Sequence, residues 1–132
     1  MSLEQFSIFC LPYLERIVKT LKHLAPVILF CRDSSLRCAE LADLSPSCIS
    51  LDDHRPMHEL RALIPKTIAV QGNMAPELLR LSSSQIGAFL DKLLDSMQKE
   101  PGFIVNLGHG VLPDIPFENV KYFVEYVRMR TV

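Results

Sequence analysis

Apolar positions along this chain follow two alternating rhythms, a three-and-four spacing and short unbroken runs, and their alternation predicts the architecture. Residues 2–24 carry Leu3, Phe6, Ile17, Leu21 and Leu24 on one stripe, with Glu15, Arg16, Lys19 and Lys22 off it, as in an amphipathic helix. Pro12 has no N–H to donate, so this helix either kinks there or begins near Leu11 after an irregular lead. Residues 26–31 (PVILFC) are too apolar for a half-exposed strand and too few for a helix, so a strand buried on both faces is expected. Residues 48–52 (CISLD), 67–71 (TIAVQ) and 103–107 (FIVNL) read as three more strands. Helical periodicity covers about 34–44, 56–63 and 76–98, the last in one or two pieces with Ser82, Ser83 or Ser84 as its cap. A closing helix runs from near Pro116 and Glu118 to about Arg130, with Val120, Phe123, Val124 and Val127 on one face.

The order is a helix followed by four strand–helix units with short connections. That order predicts an α/β fold in which a parallel sheet of four strands, in sequence order, carries its helices outside. Such a sheet presents functional loops at the C-terminal ends of its strands. Arg32 and Asp33, Asp52 and Asp53, Gln71 and Asn73, and Asn106 and His109 all fall on that edge. Asp33, Asp53 and Asn73, taken singly, read as helix caps or solvated loop residues; their convergence is what marks the edge. His109 lies between Gly108 and Gly110, which permit backbone angles that a Cβ disfavours, so the turn presents one imidazole past the strand end, either as a functional side chain or as a helix-capping or surface-turn histidine.

Composition narrows the partners. The 132 residues suit one domain, 1–132, with a formal net charge of −1 and 14 Lys and Arg that are scattered rather than clustered. Neither nucleic acid nor an anionic membrane is expected, and no apolar run approaches the roughly 18 residues of a membrane-spanning helix. Cys10, Cys31, Cys38 and Cys48 lack C-x-x-C spacing, which predicts a reduced, cytoplasmic protein in which Cys31 and Cys38 pack as small hydrophobes. His58-Glu59 would open a zinc-protease motif, but position 62 is Ala62. Pro56 interrupts the helix that would align His54 with His58, so both are expected to be surface histidines. No phosphate-binding loop is present.

Three stretches together resemble the uroporphyrinogen decarboxylase family: residues 9–17 (FCLPYLERI), 69–78 (AVQGNMAPEL) and 103–116 (FIVNLGHGVLPDIP). The resemblance covers essentially the whole chain and implies the C-terminal half of a (β/α)8 barrel. It places His109 on the family's active-site histidine within N-L-G-H-G, as a residue that contacts substrate. It places Phe30 on a cleft-lining position that offers an apolar wall to a pyrrole. The family's paired arginines, pyrrole-binding aspartate, tyrosine and serine have no counterpart here. Ala75 stands where the G-N-x-D-P pattern has an acid, and Asp53 where an aromatic is common.

The resemblance implies stepwise removal of CO2 from the four acetate arms of uroporphyrinogen in haem biosynthesis, with no metal or organic cofactor. His109 would act as hydrogen-bond donor to a substrate carboxylate or as proton carrier. A second reading is a truncated, non-catalytic remnant or a split-barrel partner of a separate N-terminal half. A third is a cobalamin-linked methyltransferase, whose zinc needs a His-x-Cys pair and a late cysteine. No histidine stands two positions before Cys31, and the last strand end carries His109 and no cysteine. With a substrate-binding face left apolar, an isolated half-barrel is expected to be inactive and to pair with an N-terminal half or with itself.

Overall fold

A computed structural model of the chain describes residues 2–130; the sequence-based domain 1–132 therefore has residues 1, 131 and 132 outside the described residues. Two helices open the chain, α1 (Leu3–Phe9) and α2 (Leu11–Leu21), and Pro12 sits in the first turn of the second. Of the two expected solutions the chain takes the new start at Leu11, because a first-turn proline forfeits no intrahelical bond. The lead before it is itself helical. Ser2 caps it, its hydroxyl accepting from the Gln5 N–H at 3.1 Å.

Four strands follow: β1 (Ile28–Leu29), β2 (Cys48–Ser50), β3 (Ala69–Met74) and β4 (Phe103–Leu107). They pair in parallel in the order β1-β2-β3-β4, as the strand–helix alternation predicts. The first strand is shorter than residues 26–31, and the third runs on to Met74, so Gln71 and Asn73 are strand rather than loop residues. Between the strands lie a 3-10 turn (Ser34–Leu36), α3 (Cys38–Asp43), α4 (Met57–Leu63), a second 3-10 turn (Pro76–Arg80), α5 (Ser83–Met97) and α6 (Phe117–Arg130). The helix expected at 76–98 is thus two pieces with Ser82 between them. Gln85 Oε1 accepts from both the N–H and the hydroxyl of Ser82, at 3.2 and 2.8 Å.

The pleat separates two very different faces. Leu29, Ile49, Val70 and Phe103 lie in one row across the four strands and point toward the helices. There they join Phe6, Val18, Leu41, Leu51 and Leu60 in one core, each side chain worth about 1.5–3 kcal/mol on full burial. A second core under α5 and α6 holds Met74, Leu79, Ile86, Leu90, Leu107 and Phe123.

A buried cation ties the lower edge of the sheet. The Arg61 guanidinium donates to the carbonyls of Ile68, Ile64 and Pro65 at 2.7, 2.5 and 2.6 Å, which fixes the connection from α4 into β3. Burial lowers its proton affinity below that of a free arginine, and Glu100 opposes that shift.

The opposite face corrects one expectation. Strands predicted to be buried on both faces are covered on one: Ile28, Phe30 and Ile104 are 53%, 48% and 43% exposed. Four strands cannot close, so nothing fills the concave side, and β1 and β4 each have one unpaired edge among the described residues. The chain is accordingly expected to sediment at micromolar concentration as an oligomer or to precipitate. A monomer with a cooperative melt would show the four-strand unit to be self-sufficient.

Candidate active site

The C-terminal strand ends build a cleft of about 670 Å³. Phe30 and Arg32 enter it from the end of β1, Asp52 and His54 from the end of β2, Glu77 from the turn after β3, and His109 from the turn after β4. A neighbouring hollow on the concave face is shared by Phe30, Gln71, Asn106 and His109. The histidine and phenylalanine singled out from sequence therefore share both spaces. The imidazole is half exposed, with Nδ1 3.1 Å from the Gly110 carbonyl and Nε2 3.8 Å from a Glu77 carboxylate oxygen.

The glycines beside His109 act differently from expectation. Neither takes a positive φ; the glycines that do are Gly72 and Gly102. A Cβ on Gly108 would lie 2.9 Å from the Asp53 nitrogen, so Gly108 is there to let the β4 turn press against the β2 turn. Gly110 has nothing within 4 Å of its Cβ position.

The remaining edge residues divide. Gln71 donates from Nε2 to Ser50 Oγ at 3.1 Å on the concave face. Asn73 instead is buried, donating from Nδ2 to the carbonyls of Asp52 and Arg55 at 2.9 and 2.7 Å. It therefore clamps the β2 turn from below and does not share the opening with His109. Asp33 caps no helix through its side chain and adopts a left-handed backbone, φ 62°. Asp52 is the anchor of the rim: its Oδ1 accepts from the Ser35 N–H at 3.2 Å and from the Ser35 hydroxyl, and its own N–H donates to Ser34 Oγ at 3.0 Å.

His54, read from sequence as a surface histidine, belongs to the cleft. Its Nε2 lies 3.4 Å from Asp33 Oδ1 and 4.0 Å from Asp52 Oδ2. The signal that could have found it was its position two residues past Asp52 at a strand end. His58 is exposed on the outer side, as expected.

No disulfide joins the cysteines among the described residues, and Cys31 stands near the rim as a neutral thiol. Burial pushes its pKa up to about 11, against the opposing pull of the Arg37 guanidinium. Cys38 and Cys48 are shifted upward by burial as well.

Comparison with known proteins gives one consistent result. A family model described as uroporphyrinogen decarboxylase matches residues 1–130. A uroporphyrinogen decarboxylase of Protochlamydia amoebophila is 44% identical over 130 residues, covering 98% of this chain and 36% of that relative. One of Koribacter versatilis is 32% identical over 129 residues, covering 96% and 37%. Among solved structures, a methyltransferase from Methanosarcina mazei superposes with a TM-score of 0.82 at 20% identity, over all of this chain and 39% of that one, a likeness of fold. The chain thus spans little more than a third of the length of the curated relatives it matches, and across that span, by family model and by identity, it belongs to the uroporphyrinogen decarboxylase family.

Proposed function

We propose that this chain, as a single domain, forms the C-terminal part of a uroporphyrinogen-decarboxylating barrel in the cytoplasm, and that complementary N-terminal strands close it. The observation that carries the reading is the meeting of His109 and Phe30 at one cleft over an uncovered concave face. The family match supports the substrate; the open edges of β1 and β4 support the complementary half. Four cysteines with no disulfide among the described residues suit a reducing compartment.

In this reading each acetate arm loses CO2 by the same sequence. A proton adds to the pyrrole, the bond to the carboxylate breaks with its electrons flowing into the ring, and the exocyclic carbon takes a proton as the ring proton leaves. The product is a methyl group. Phe30 supplies an apolar wall to the ring. With Nδ1–H donating to the Gly110 carbonyl, Nε2 is left toward the cleft, and as the imidazolium His109 supplies from Nε2 either an N–H to a departing or neighbouring carboxylate or the transferred proton.

Complementation tests this. The chain is mixed with the N-terminal part of the Protochlamydia enzyme, and coproporphyrinogen is followed by fluorescence after oxidation. Conversion by the mixture is expected, with His109→Ala lowering kcat by about 10²–10⁴. A soluble, stoichiometric complex that converts nothing would remove the catalytic reading, and an unimpaired His109→Ala mixture would remove the role of His109.

A further inference from the structure

The rim contains one polar atom that the decarboxylase reading does not use. Asp52 is 5% exposed, and while its Oδ1 is saturated by Ser35, its Oδ2 is buried with no hydrogen-bond partner. An ionised carboxylate oxygen shut away from water without a donor is costly, and such groups are ordinarily paired or bound to a metal. This oxygen faces His54 Nε2 at 4.0 Å, too far for a hydrogen bond, and His54 Nε2 in turn lies 3.4 Å from Asp33 Oδ1. One donor atom from each of the three residues falls within 4.8 Å of the others.

Those separations are close to the spans between ligands of one small cation. With metal–ligand bonds of about 2.0–2.2 Å, neighbouring donors stand roughly 3–4 Å apart. Asp52 is fixed by its serine contacts, while the Asp33 and His54 side chains are 38% and 53% exposed and can close the remaining distance. Two carboxylates and one imidazole suit zinc or manganese among the divalent ions.

We propose that Asp33, Asp52 and His54 form a site for one divalent transition-metal ion at the mouth of the cleft. Three protein ligands leave coordination positions open to water or to an anionic group. Among the described residues lining the cleft, Asp33, Asp52, Asp53 and Glu77 stand against one Lys or Arg, Arg32. A bound ion reverses that local sign. Ion binding does not rest on the decarboxylase reading, which takes no metal, and its failure leaves that reading untouched.

The test is titration of the purified chain with manganese, zinc and cobalt chlorides, by calorimetry and by the cobalt absorption spectrum. Neither readout requires a monomer. One ion per chain is expected, with a cobalt spectrum free of thiolate charge-transfer bands. Asp33→Asn and His54→Gln, both at exposed side chains, are each expected to weaken binding at least about tenfold, whereas His58→Gln leaves it unchanged. Asp52 is left intact because Ser34 and Ser35 depend on it. Absence of saturable binding, equal affinity in the Asp33 and His54 variants, loss in the His58 variant or a thiolate band would each overturn the site. A thermal melt that follows protonation of His54 and ignores all three ions would identify the cluster as a histidine bridging two carboxylates.

Discussion

Purified without complementary strands, the 132-residue chain is expected to convert no uroporphyrinogen above a heat-denatured control. Removing CO2 from an acetate arm requires anchored carboxylates, a stabilised ring cation and a proton donor held in register. General acid help contributes about 10²–10⁴ and preorganised electrostatic stabilisation about 10²–10³ per donor. The cleft in hand offers Arg32 as its cation beside four acidic side chains, with His54 and His109 as imidazoles. Its concave wall is open to water, so each remaining interaction acts in high dielectric, where it is weakest. The assay is product fluorescence over hours at micromolar chain. Turnover by this material would show that Arg32, Asp33 and Asp52 substitute for the groups expected from the other half.

The largest stability effect is expected at Gly72. Its φ of +130° is one that side-chain-bearing residues rarely adopt, and a Cβ there would sit 2.5 Å from the Leu51 carbonyl oxygen and 3.3 Å from Met57 Cε. That carbonyl cannot retreat freely: the adjoining Leu51 N–H donates to the Gln71 carbonyl at 2.8 Å, and Leu51 is fully buried. Gly72→Ala therefore sets a methyl group against fixed backbone and adds conformational strain. A loss of roughly 3 kcal/mol or more is expected, read as a lowered urea midpoint with an unchanged slope. Gly110→Ala is the control, since its Cβ meets nothing within 4 Å, and should stay within about 0.5 kcal/mol. A Gly72→Ala midpoint equal to that of the control would sink the packing argument.

These two effects differ in how visible they are along the chain. The inactivity expected of the isolated chain is read from residue types: His109 is present, and the arginines and aspartate that the family resemblance implies have no counterpart among the 132 residues. The need for Gly72 is invisible in G-N-M, because it depends on where the neighbouring strand's carbonyl lies. Gly108 reversed the expectation in the same way. Its place beside His109 suggested backbone freedom, yet its function is to admit the Asp53 backbone.

The sequence by itself determined the alternation of strands and helices, the parallel order, a serine cap among Ser82, Ser83 and Ser84, a break at Pro12 that is either a kink or a start near Leu11, and the arrival of His109 at the edge where the strands end. Those features follow from local periodicity, proline and cap chemistry, and the rule that strand ends gather on one side. Tertiary structure decided which face of the strands is covered, because burial depends on whether a sheet closes and not on how apolar its residues are. It also decided that Asn73 clamps a turn, that Arg61 is buried on three carbonyls, and that His54 faces Asp33 and Asp52. Each of these is a contact between side chains and backbone brought together by pairing between strands, and no local pattern encodes the distance across a sheet.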